Sequence, residues 1–155
     1  MNAIPAALPS PEVLTQIVSR VTETMFGISF SLEGADNGGS SAVPNWRTVV
    51  LPIPGVRALT VAIASDEPSS QMLGGAMFCC PREEVDMSMA EDSLRELVNI
   101  VAGQIKSVMG VDAALGLPRL LSATELPVDP KKWRSATIRG GGKELMVWVA
   151  VSETA

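Results

Sequence analysis

The 155-residue chain predicts an α+β fold of two pseudo-symmetric helix-plus-strands units. Three observations predict it. Segments 11–25 and 92–108 carry apolar residues at helical spacing. Each is followed by short β-rich runs bounded by Gly and Pro. Shifting the chain by 84 residues lays Leu14, Ile17, Val18, Val21 and Met25 on Val98, Val101, Ala102, Ile105 and Met109, and Glu12 and Thr15 on Glu96 and Asn99. Shared amphipathic periodicity alone would produce part of that match. Two such helix-plus-strands units make a pseudo-symmetric α+β domain.

Residues 1–10 are rich in Ala and Pro and read as an extended lead-in; 11–155 read as a single domain. Ser10 followed by Pro11 is an N-cap with Pro at the first helical position. The first helix runs over 11–25, with Val13, Leu14, Ile17, Val18, Val21 and Met25 as its apolar side, and Gly27 ends it. A strand over 28–32 follows, then a polar loop over 34–43. Runs 46–51 and 59–64 pair as a hairpin around Pro52, Pro54 and Gly55. Ser65 or Asp66 caps a short helix over 68–78.

An acidic stretch, 83–92, leads into the long helix, where negative charge complements the helix dipole, and Gly110 stops that helix. Strands over 120–126, 135–139 and 144–151 complete the chain. Gly140, Gly141 and Gly142 read as the turn between the last two. No helical pattern follows them, so they are not a phosphate loop.

Hydrophobic residues make up 46% and aromatics only 4%, so the core must be Val, Leu, Ile, Met and Ala. Trp46, Trp133 and Trp148 read as core or dimer-interface residues. The net charge of −5 argues against nucleic acid and anionic membrane as partners. No apolar run approaches the ~20 residues that span a bilayer, and the N-terminus lacks the basic and apolar regions of a secretory signal. Cys79 and Cys80 are adjacent and poorly placed to bridge each other; they read as two small buried hydrophobes in a cytoplasmic protein. The chain has no histidine, which removes the Ser-His-Asp and Cys-His constellations and the common zinc sites.

The long helix carries the chemistry. Leu94, Leu97, Val98, Val101, Ile105 and Val108 form its buried side, while Asp92, Glu96, Asn99, Gly103 and Lys106 step along the opposite stripe. Taken singly, Asp92 and Glu96 read as solvated helix charges and Asn99 as a cap or core hydrogen-bonder. Together they read as a presented site. Asn is a poor mid-helix residue, and Gly103 costs about 1 kcal/mol against Ala, as if something packs closely there.

These residues resemble the CheC/CheX/FliY chemotaxis phosphatase family. Asp92-x-x-x-Glu96-x-x-Asn99 fits the family's helix signature, and Glu96-Leu-Val-Asn-Ile-Val-Ala-Gly-Gln-Ile-Lys106 is similar to the block around it. Val21-Thr-Glu-Thr-Met25 is similar to the first helix of CheX-type chains. One signature copy is intact, since Thr15 stands where a second Asn would be; the chain looks closest to CheX. One departure is visible: Pro118 comes earlier, and Pro127 later, than the downstream Pro of the family pattern, so the turn supporting the site is expected to be rebuilt.

The resemblance implies a CheC-like α+β fold with helices packed on a largely antiparallel sheet, a homodimer, and hydrolysis of the aspartyl phosphate on a CheY-like response-regulator receiver in chemotaxis or other two-component signalling. Asn99 would orient the attacking water, and Glu96 would pair with the receiver's active-site Lys. Asp92 and Gly103 would contact the partner, Gly103 by admitting its backbone. The receiver would bring its own Mg²⁺, and the chain would hold no cofactor. A carboxamide both donates and accepts, and an acyl phosphate needs little beyond a placed water and charge neutralisation. A hydrolase without His is therefore chemically coherent. The alternatives are a receiver-docking or flagellar-switch module of the same fold without hydrolysis, and a purely structural subunit. Exposure of Asn99 discriminates: buried and bonded, it excludes catalysis.

Overall fold

The computed structural model describes residues 7–36, 46–55, 57–121, 133–142 and 144–153. Helix α1 spans Pro11–Phe26. Ser10 Oγ accepts from the Val13 N–H at 3.2 Å, and Gly27 closes the helix at φ 71°. Leu14, Ile17, Val18 and Val21 are buried, as the spacing predicts. Two threonines enter the same face: Thr15 and Thr22 donate to the Pro11 and Val18 carbonyls, four residues back, which satisfies hydroxyls that burial would otherwise penalise.

Strand β1 covers Phe30–Asp36, starting two residues later than expected. The chain first turns at Gly27, and the Ile28 carbonyl accepts from the Thr22 hydroxyl at 2.7 Å. Strands β2 (Arg47–Ile53) and β3 (Leu59–Ser65) form the expected antiparallel hairpin. Helix α2 spans Glu67–Phe78; its cap is Asp66, which accepts from the Ser69 N–H, while Ser65 is buried in β3. After a 3-10 turn at Arg82–Glu84, helix α3 spans Met87–Met109.

That helix begins five residues before Asp92. Asp86 accepts from the Met89 N–H at 2.8 Å, and Ala90 continues the buried row that Leu94 and Leu97 extend. The first turn therefore holds no acidic residue; the cap carboxylate supplies the charge at the positive end of the dipole. Strand β4 is Arg119–Leu120; residues 122–126 of the expected strand, the loop residues 37–43, and Pro127 lie outside the described residues. Strands β5 (Trp133–Gly140) and β6 (Leu145–Glu153) pair antiparallel. Gly140 ends β5, and the turn proper uses Gly141 and Gly142 at φ 58° and 79°, the positive-φ geometry that suits a hairpin.

The six strands run β1-β5-β6-β3-β2-β4, and every pairing among the described residues is antiparallel. Exchanging β1 with β4, β2 with β5 and β3 with β6 reverses that order and returns it unchanged. The pseudo-symmetry predicted from the repeat is thus present in the topology. Packing contacts run between α1 and β1 and β5, between α3 and β2 and β3, and between α2 and α3. The core lies between the helices and one sheet face, with Val49, Leu51, Val61, Ile63, Val147 and Val149 among its strand residues.

The other sheet face is also buried at its centre. Val50, Ala62, Ala64, Trp133, Trp148 and Ala150 cluster there, with the Trp133 and Trp148 rings 6.0 Å apart at 59°. Trp46 is only partly buried against them. Three expectations need correction. Cys79 is exposed and Cys80 half-buried, because Cys79 is the left-handed C-cap of α2 (φ 55°) rather than a core position. Met25 and Val108 are exposed: both lie near their helix ends, at the seam between α1 and α3.

Candidate functional site

Helix α3 is fixed to the sheet by Leu94, Leu97, Val98, Val101 and Ile105, all buried. Its opposite face must then look outward. Asp92, Glu96 and Asn99 are exposed there, with Gly103 and Lys106 half-buried further along. The Asn99 amide has no hydrogen-bond partner among the described residues, and neither does the Glu96 carboxylate, which also lacks an ion pair among them. A surface carboxamide left unpaired by its own chain has both its donor and its acceptor available.

Asp92 differs from these two. It accepts from Arg95 Nη1 at 2.9 Å. Arg95 Nη2 lies 3.9 Å from Glu91, and Glu91 lies 3.7 Å from Arg47 Nε on β2. Arg47 in turn donates to Ser70 Oγ on α2 at 3.2 Å. The exposed Asp92–Arg95 pair contributes little stability, but the chain of charges orients Arg95 beside Glu96.

A groove of about 360 Å³ brings Asp92, Arg95, Glu96 and Asn99 together with Gly116, Leu117 and Pro118. Pro118, displaced along the sequence, therefore still lines the groove that holds Asn99. Its segment is fastened to β2. The Gly116 N–H donates to the Pro52 carbonyl at 2.7 Å, and a Cβ at Gly116 would meet Pro52 Cγ at 2.6 Å and its carbonyl oxygen at 2.7 Å. Just beyond, Arg119 and Leu120 pair with Val50 and Val49. The sequence reading missed Gly116 and Leu117, since an irregular loop gives no periodicity to place it. The Gly-x-Pro ahead of a strand was the available signal.

At Gly103 a Cβ would meet nothing within 4 Å. Nothing in the chain itself packs against that glycine, contrary to what its helix cost suggests. A second groove, of about 270 Å³, follows the seam between α1 and α3, lined by Val21, Met25, Ile100 and Val108 with Arg20 and Gln104 among its polar residues. Among the described residues, no group of three or more His, Cys, Asp or Glu could hold a metal ion. No helix among the described residues is long and apolar enough to cross a membrane.

A family model described as chemotaxis phosphatase CheX matches residues 48–139, a span that includes α3 and the groove. No curated protein matches the chain in sequence. Among solved structures, the chemotaxis protein CheX from Vibrio vulnificus aligns with a TM-score of 0.74 at 14% identity, over 95% of this chain and 99% of that one. A chain of the CheX-CheY-BeF3-Mg²⁺ complex from Borrelia burgdorferi aligns at 0.69 and 11% identity, over 96% and 100%. A chain of the FliM-SpeE complex from H. pylori aligns at 0.66 and 9%, over 92% and 82%.

Proposed function

The chain belongs to the CheX chemotaxis phosphatase family, and from that premise we propose that it hydrolyses the aspartyl phosphate of a CheY-like receiver domain. The observation that carries this reading is Asn99: exposed, unbonded by the described residues, and one helical turn from an equally unpaired Glu96 on a groove open to solvent. Burial would have excluded catalysis. A related CheX is crystallised with CheY, BeF3 and Mg²⁺, which supports a receiver as the partner. The proposal includes homodimer assembly and a cytoplasmic place of action.

The chemistry asks little of this chain. The receiver contributes the acyl phosphate, its Mg²⁺ and its Lys. Glu96 pairs with that Lys and sets the docking register. Asn99 then enters the phosphorylation pocket, its carbonyl oxygen accepting from the attacking water and its NH₂ donating toward the phosphoryl oxygens. The water attacks phosphorus in line, the P–O bond to the carboxylate breaks, and inorganic phosphate and a free Asp carboxylate result. Asp92, already held by Arg95, contributes to the mouth of the site, and Gly103 leaves room for the receiver backbone.

The test is phosphate release from a CheY-type receiver phosphorylated with acetyl phosphate in Mg²⁺. Wild type should accelerate it. Asn99→Ala should lose about 10²–10³-fold of that acceleration, the usual effect of removing one preorganised polar group at a reacting centre. Glu96→Ala should act mainly by weakening association. Binding without acceleration by wild type would instead establish a docking module, the reading that the displaced Pro118 and the single intact signature copy favour.

A further inference from the structure

Leu117 is 84% exposed, the most open of the large hydrophobic side chains among the described residues, ahead of Met87 at 64% and Val108 at 57%. An isolated surface Leu needs no explanation, but this one shares its groove with Asn99 and Glu96. Its backbone is also held on both sides. Gly116 is bonded to Pro52 at 2.7 Å and pressed so closely against it that only glycine fits. Pro118 fixes its own φ, and Arg119 enters the β2–β4 ladder. An apolar side chain presented on a braced segment loses little freedom on being covered, which is the condition for an efficient anchor.

The groove also says what covers it. Glu96 offers a carboxylate with no ion-pair partner among the described residues, whereas the Asp92 carboxylate is already satisfied by Arg95. The complementary surface therefore has one cation to meet Glu96 and an apolar patch beside it to meet Leu117. A partner that fills this groove to reach Asn99 also covers Leu117. We propose that Leu117 is the apolar anchor of the receiver interface, seating against an apolar patch that borders the phosphorylated pocket while Glu96 and Asn99 enter it. This rests on the phosphatase reading above.

The experiment uses the full chain and a CheY-type receiver, loaded with beryllofluoride and Mg²⁺ for binding and with acetyl phosphate for turnover. Leu117→Ala should raise Kd and KM about tenfold, within the range for truncating an interface anchor, with kcat within about twofold of wild type. Leu117→Asp should raise both about a hundredfold. Circular dichroism should show both variants folded, since the side chain touches solvent rather than core. Val108→Ala, an exposed apolar residue outside this groove, should leave KM unchanged. A wild-type KM for Leu117→Ala, in a protein whose turnover is lost in Asn99→Ala, overturns the anchor and keeps the phosphatase. A fall in kcat without a rise in KM overturns it too. Wild type that binds through Leu117 without turnover supports the anchor and overturns hydrolysis; wild type that neither binds nor turns over overturns both.

Discussion

The two halves of the molecule are built alike and finished differently. In the first, Thr15 occupies the position that Asn99 holds in the second, yet Thr15 is buried and donates to the Pro11 carbonyl at 2.8 Å. Asn99 stands in solvent with no partner among the described residues. Glu12 and Glu96 are both exposed. The helices also differ in length, 16 residues in α1 against 23 in α3. Under the repeat they end within one residue of each other, so the extra length of α3 is N-terminal, and it is this part that carries Asp92. The position equivalent to Asp92 is Leu8, which precedes α1 and packs on the core. Two copies of one unit can thus share a sheet while one presents polar side chains and the other turns them inward. What separates a site from a structural helix here is the residue at one equivalent position and the N-terminal extension of α3.

The sharpest way to break that comparison is to move the carboxamide. Thr15→Asn in an Asn99→Ala background should leave receiver dephosphorylation about 100-fold or more below wild type, because position 15 points inward and α1 lacks the residues that border Asn99. Phosphate release from the phosphorylated receiver measures it. Recovery toward wild-type rates would mean that the first helix face can open, and that the halves are functionally interchangeable.

Much of this contrast was legible in the residues. Caps at Ser10 and Gly27, the stripe Asp92–Glu96–Asn99, and the pairing of β2 with β3 follow from local chemistry that needs no tertiary information. The rest depended on what each element meets. Every residue of β3 is buried, so Leu59-Thr-Val-Ala-Ile-Ala-Ser65 shows no alternation to say which face is which. Met25 and Val108 carry the apolar character of a buried row, yet each sits where the α1–α3 seam opens. Leu117 is a few residues past a helix end, in a stretch without period. Its nearness to Asn99 follows from the Gly116–Pro52 contact, between residues far apart in the chain.

A milder pair of changes sharpens the same comparison through stability. Gly103 and Ser19 are equivalent under the repeat. At Gly103 a methyl group meets nothing within 4 Å, so Gly103→Ala should stabilise the free chain by about 0.5–1 kcal/mol through helix propensity. Ser19 is already used: its hydroxyl accepts from the Phe30 N–H at 2.8 Å and donates to Glu23 at 3.2 Å. Ser19→Ala should therefore destabilise by about 1 kcal/mol. Urea titrations would show opposite signs at equivalent positions. A destabilising Gly103→Ala would mean that this glycine serves the fold itself and is not kept free for a partner.

The smallest effect lies where β3 and β6 meet at the centre of the pseudo-symmetry. At one end of that ladder, where Leu59 faces Glu153, Arg57 donates to Glu153 at 2.7 Å. At the other end, Ser65 faces Val147 and is buried, its hydroxyl without a partner among the described residues. The hydrogen bond from Arg57 holds the Glu153 carboxyl below its ordinary range, its positive charge adds to the shift, and partial burial opposes both. A carboxylate whose pKa is lower folded than unfolded stabilises above the unfolded pKa, and that stability disappears as pH falls through the folded one. Glu153→Gln should therefore lower stability at neutral pH by at most about 1 kcal/mol, since the pair is half in water. The difference from wild type should shrink as the solution is acidified below the ordinary carboxylate range. Paired denaturant titrations at neutral and acid pH measure it, and a pH-independent difference would place the stabilisation in strand packing and leave no role for the ion pair.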